Sequence, residues 1–100
     1  VVQANLLASF APAEGRDKVY NVAFGQRTTL NELYALIRDE VVRHKAEAGQ
    51  ARPVYREFRA GDVRHSLADI SRARTLLGYA PAVDVRQGLR LAGDWYAANL

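Results

Sequence analysis

The sequence contains no cysteine and no methionine. The first absence excludes a disulfide framework and any thiolate metal site. The two histidines, His44 and His65, are isolated from each other and lack the spacing of a metal pair, so no metal ligand is expected. No apolar run approaches the roughly 18 to 20 residues that cross a bilayer, and no block of about five like charges marks an interaction tail. A soluble, cytoplasmic protein without a membrane partner is the expectation. There is no charged and apolar leader, and the chain reads as if it begins inside a longer one. Catalytic signatures are missing as well: no G-x-G-x-x-G loop, no P-loop, no H-E-x-x-H, and no nucleophile context around Ser9, Ser66 or Ser71. Binding rather than reaction is therefore expected of these residues.

What is present describes a small globular unit. One hundred residues, 49% hydrophobic and 25% charged, suffice for a single domain with a modest core. The net charge of +3 arises from 14 basic against 11 acidic residues, a mixed surface rather than a nucleic-acid footprint. No nucleic-acid partner is expected, although a free-standing basic module for RNA or another anion stays as a rival reading.

The apolar stripe Val2, Leu6 and Phe10 predicts a helix that Ala11 and Pro12 end. Residues 19–24, "VYNVAF", are β-branched and aromatic and stop at Gly25, which suits a short buried strand. Thr29 and Glu32 have capping-box spacing. Leu30, Leu33, Tyr34, Ile37, Val41 and His44 then share a face, predicting an amphipathic helix to about Ala48 with Gly49 as its stop. "RPVYREF", 52–58, alternates as a second short strand would, with Pro53 at its start. Asp69 is placed to cap a short helix carrying Ile70, Ala73, Leu76 and Leu77, closed by Gly78. Asp84 and Gln87 open a last helix that packs through Val85, Leu89, Ala92 and Trp95 or Tyr96. Two strands rarely make a stable sheet alone. They either pair beneath the helices or belong to a larger sheet.

Between the second strand and the short helix lies "FRAGDVRHSLAD". Arg59 offers a planar fork that matches phosphate oxygens, and Gly61 lets the backbone turn and approach a ligand. Asp62 repels phosphate, so it either orients Arg59 or accepts hydrogen bonds from ligand hydroxyls. By itself the pattern is better read as a turn with a surface ion pair. Arg64 and His65 have no assigned role.

Taken together and in order, "VYNVAFGQRTTLNEL", "RAGDVRHSLADISRARTLLGYAP" and a final helix ending in "WY" resemble the C-terminal part of NAD-dependent nucleotide-sugar epimerases and dehydratases, the extended short-chain dehydrogenase/reductase family. The likeness spans almost the whole chain. It is greatest toward the bacterial UDP-N-acetylglucosamine 4-epimerases of polysaccharide biosynthesis. The resemblance implies an α/β architecture: residues 1–100 as the substrate-binding portion of a Rossmann-type enzyme, mainly helices with two or three short strands. A separate N-terminal Rossmann domain would hold NAD and a Tyr-x-x-x-Lys pair, neither of whose motifs occurs here.

By position the resemblance assigns Arg59 to the nucleotide diphosphate, Asp62 to the ribose side of the uridine, and Asn21 to the neighbourhood of the nucleotide, with Gly61 shaping the loop. Arg27 and Thr28 lie in the loop before the capped helix. Ser66 falls where the family sets a residue against the sugar, and its small size implies room for a 2-acetamido group. The implied chemistry is oxidation at sugar C4 by NAD, rotation of the 4-keto sugar and return of the hydride, in a homodimeric enzyme of which this segment alone is inactive. A dehydratase or decarboxylase of the same family is the alternative.

Overall fold

The computed structural model describes residues 1–63 and 65–99. Four α-helices form: α1 (Val2–Ser9), α2 (Leu30–Val42), α3 (Ser71–Leu77) and α4 (Val85–Asn99), with 3₁₀ turns at Ala13–Gly15 and Ala46–Gln50. They fall into two compact units, Val1–Arg27 with His65–Val83, and Thr28–Arg64 with Asp84–Leu100.

In the first unit α1 packs on α3. The core is built from Ala4, Ile70, Ala73 and Tyr79, with Leu7, Tyr20 and Ala23 against it. Ala73 is completely buried. The predicted stripe of α1 is therefore on the wrong side: Val2, Leu6 and Phe10 are all exposed, Phe10 at 86%. Small side chains decide this. Ala4 and Ala73 let two short helices approach closely, which a row of large residues prevents. At the end of α3, Gly78 takes a left-handed conformation (φ 66°). Its N–H bonds the Arg74 carbonyl at 3.1 Å, and the Tyr79 N–H bonds that of Ala73 at 3.2 Å, an end that glycine closes without Cβ strain. The start of α3 differs slightly from expectation. The helix begins at Ser71, and Asp69 reaches it from two residues upstream, accepting the Ser71 N–H at 2.9 Å.

Neither expected strand forms, and no described residue is in a β-strand. Strands need a ladder to satisfy their backbone groups, and here side chains serve instead. Arg72 donates to the Val19 carbonyl at 3.2 Å, the Tyr79 hydroxyl to that of Ala23 at 3.0 Å, and the Asn21 amide to that of Asp69 at 3.1 Å. Residues 52–58 likewise form no ladder, and the Tyr55 hydroxyl donates to Asn31 Oδ1 at 3.1 Å. The described architecture is thus helical with irregular connections.

In the second unit α4 lies against α2. Both helices open on reciprocal caps. The Glu32 N–H donates to the Thr29 hydroxyl at 3.2 Å while the Thr29 N–H donates to the Glu32 carboxylate at 2.7 Å. Gln87 and Asp84 exchange the same pair of bonds, at 2.8 and 3.2 Å. α2 ends earlier than predicted, at Val42, because the Val41 carbonyl accepts both the His44 and Lys45 N–H groups and Lys45 turns extended. No residue of α2 or α4 is fully buried. Leu33, Tyr34, Leu36 and Val42 are half-buried on α2, whereas Leu30, Ile37 and Val41 are exposed. On α4 the shielded line is Gly88, Leu89 and Gly93, and Val85, Ala92, Trp95 and Tyr96 stay exposed.

The hydrogen bonds from the Thr29 backbone and hydroxyl hold the Glu32 carboxyl below its ordinary value of 4.5. A depressed folded-state pKa gives stability that is present above the unfolded value and lost as pH falls through the folded one. Thr29→Ala is accordingly expected to cost about 1 kcal/mol near neutral pH. The gap between parent and variant in thermal melts should then shrink progressively below pH 4.5. A gap of constant size down to strongly acid pH would show that the bond between the Thr29 hydroxyl and the carboxylate contributes nothing, since alanine keeps the backbone N–H that also donates to it.

Candidate functional site

The R-x-G-D segment is a tight turn in the second unit. The Asp62 N–H closes it on the Arg59 carbonyl at 3.2 Å, and Gly61 takes φ 88° in its third position, as a type II turn requires. No atom lies within 4 Å of where a Cβ on Gly61 would project. The glycine is thus demanded by backbone conformation, and the space beside it is open. The turn brings Arg59 Nε to 3.5 Å from Asp62 Oδ2. The Arg59 side chain is nevertheless 87% exposed, against 45% for Asp62. An ion pair this loose and wet contributes little to the fold. Its consequence is orientation: the carboxylate engages the Nε edge of a guanidinium that stands in solvent.

Asn21 and Ser66 belong to the first unit. Ser66 and His65 are exposed. Asn21 has its amide committed to the Asp69 carbonyl, a bond that ties the 19–23 segment to the start of α3. Of the loop, Arg64 lies outside the described residues. Arg59, Gly61 and Asp62 are brought together as the spacing implied, and Asn21 is given a structural bond that spacing could not reveal.

Three residues to which the sequence assigned no ligand join Asn21. Val19, Asn21, Asp69 and Arg72 line a shallow polar groove of about 220 Å³. Hydrogen bonding from Ser71, then the nearby Arg72 charge, keeps the Asp69 carboxyl below its usual value of 3.8. The groove is smaller than the roughly 300 Å³ at which small-molecule sites begin. That volume is too small for a whole nucleotide sugar. The sequence signal for it was the acid–base pair Asp69 and Arg72 at helix spacing, which reads equally as a cap and a solvated charge.

For a dinucleotide cofactor the test is a strand, a glycine-rich turn and a helix N-terminus facing the pyrophosphate. The described residues include no strand, and the helices open on Val1, Thr29, Ile70 and Asp84 rather than on such a loop. These residues do not fit NAD.

Comparison with known proteins points in one direction. No protein-family model matches the chain. It is 29% identical over 99 residues to a protein of Methanocaldococcus jannaschii provisionally named UDP-glucose 4-epimerase, covering 99% of this chain and 29% of the relative. It is 34% identical over 79 residues to a dTDP-glucose 4,6-dehydratase of Streptomyces griseus, covering 79% of this chain and 23% of that protein. Together these similarities support kinship with nucleotide-sugar epimerases and dehydratases. The chain spans less than a third of the length of either relative. Among the described residues no helix is long and apolar enough to cross a membrane.

Proposed function

We propose that this chain is the UDP-sugar-binding part of an NAD-dependent nucleotide-sugar 4-epimerase acting on UDP-N-acetylglucosamine and UDP-N-acetylgalactosamine in polysaccharide biosynthesis. The observation that carries the reading is the Arg59–Asp62 turn, an exposed guanidinium held by its Nε edge above an open glycine, in a chain similar to nucleotide-sugar enzymes. Arg59 grips the diphosphate through two parallel N–H bonds. Asp62 keeps the fork oriented and accepts hydrogen bonds from the ribose hydroxyls. Holding the nucleotide end leaves the sugar free to turn over, as 4-epimerisation requires. The NAD site and the proton-transferring pair lie outside this segment, in an N-terminal Rossmann domain. Its coverage of less than a third of its relatives supports that arrangement, as do the large apolar side chains it leaves exposed, Phe10, Val19, Leu30 and Val54 among them.

Ser66 sets the sugar size. Its exposed, small side chain leaves room for a 2-acetamido group, and steric exclusion of a few atoms changes relative transition-state binding by about tenfold or more. In the complete protein Ser66→Tyr is expected to lower kcat/KM for N-acetylated substrates at least about tenfold more than for plain hexoses. Equal losses on both would remove Ser66 from the sugar pocket. The similarity to a dTDP-glucose 4,6-dehydratase favours a second reading, a dehydratase of the same kinship. A 4-keto-6-deoxy product in place of the C4 epimer would decide for it.

A further inference from the structure

We propose that Glu40, His44 and Asp94 form a site for a zinc-class divalent cation between α2 and α4, in competition with the Arg43 guanidinium. Glu40 and His44 are one helical turn apart on α2, and Asp94 faces them from α4. One ligand atom from each lies within 4.8 Å of the others. His44 Nε2 is 3.8 Å from Glu40 Oε1 and 3.6 Å from Asp94 Oδ1. Zinc bonds nitrogen and carboxylate oxygen at about 2.0–2.1 Å in tetrahedral geometry, which sets its ligand atoms about 3.3 Å apart. The two distances from His44 need to close by only about 0.3–0.5 Å and the Glu40–Asp94 separation by at most about 1.5 Å to complete that set, with the fourth position open to water.

A second feature of the backbone belongs to the same place. A Cβ on Gly93 would come within 2.6 Å of Glu40 Cγ and 2.9 Å of Glu40 Oε1. The missing side chain beside Asp94 is what lets the Glu40 carboxylate enter the crossing of the two helices, where it is the most shielded of the three ligands. Imidazole with two carboxylates suits zinc and its neighbours rather than magnesium or calcium. Arg43 bonds Glu40, and its other terminal nitrogen is 3.3 Å from Asp94 Oδ1. The guanidinium thus neutralises the same two carboxylates on a long, partly exposed side chain that can swing away. A dication must displace it, so Arg43 weakens metal binding while clasping the helices without metal. This proposal does not rest on the nucleotide-sugar reading.

The test is titration of the complete protein with Zn²⁺ alone, followed by calorimetry and by the ring signals of His44 and His65 in NMR. Saturable binding of a single equivalent is expected, shifting the His44 ring and leaving His65 unchanged. His44→Asn should weaken binding at least about tenfold, no less than loss of an outer hydrogen-bond partner costs a metal site. Arg43→Gln should tighten it severalfold, and His65→Asn should leave it unaltered. The proposal is overturned if both rings shift alike, if His44→Asn keeps the parent affinity, if Arg43→Gln binds no tighter, or if neither parent nor Arg43→Gln binds saturably. The NMR readout on the unaltered chain stands even if a variant fails to fold.

Discussion

Replacing Arg59 with alanine in the complete protein is expected to weaken UDP binding by about 1.5 to 3 kcal/mol, the range for hydrogen bonds to charged groups. In affinity that is roughly ten- to 150-fold. The size follows from what the side chain does in the fold, which is almost nothing: it is 87% exposed and touches Asp62 through a single 3.5 Å contact. Stability should therefore change by less than about 0.5 kcal/mol, as for an ordinary surface substitution. Arg59→Lys separates charge from shape, because an ammonium keeps the attraction and loses the bidentate fork. It is expected to fall between parent and alanine in calorimetric titrations with UDP. An alanine variant with unchanged affinity would take Arg59 out of the site.

Ile70→Ala has the largest expected effect on the fold, about 2 to 5 kcal/mol lost from the unit formed by residues 1–27 and 65–83. Ile70 is 6% exposed and belongs to a core with few members. A Cβ on Gly25 would meet Ile70 Cδ1 at 2.9 Å, so the loop backbone closes directly over this side chain. Truncation thus opens a cavity whose lid is a connecting segment with no ladder of its own. Leu6→Ala, at an exposed position of α1, should stay within about 0.5 kcal/mol. Hydrogen exchange at the amides of α1 and α3 distinguishes the two. Equal protection in the Ile70 variant and the parent would show that the core of this unit lies elsewhere.

The contrast between these two positions marks what could be read from the amino acids. Features closed within a few residues were legible: the Thr29–Glu32 and Asp84–Gln87 caps, the left-handed Gly78, the Arg59–Asp62 turn around Gly61. Each needs only its own segment. Helix faces were less so, since large side chains drew the stripe on α1 through Leu6 and Phe10 while Ala4 and Ala73 made the contact. The two strands failed for a related reason. "VYNVAF" has the composition of a strand, but the carbonyls of Val19 and Ala23 accept from Arg72 and Tyr79, more than fifty positions away. Nothing local announces that exchange. Asn21 shows the same in the candidate site, because its partner Asp69 is 48 positions distant. From the amino acids His44 is only one member of a helix face, and Glu40 carries no signal of its own. Only the register of α4 on α2 adds Asp94.

The central claim is that the Arg59 turn serves a nucleotide-sugar 4-epimerase. Product analysis by NMR after incubating the complete protein with UDP-N-acetylglucosamine and NAD tests it most directly. The expected result is an equilibrium mixture of UDP-N-acetylglucosamine and UDP-N-acetylgalactosamine, reached more slowly by the Arg59→Ala variant at subsaturating substrate. A 4-keto-6-deoxy sugar without the C4 epimer, or epimerisation indifferent to Arg59, would contradict it.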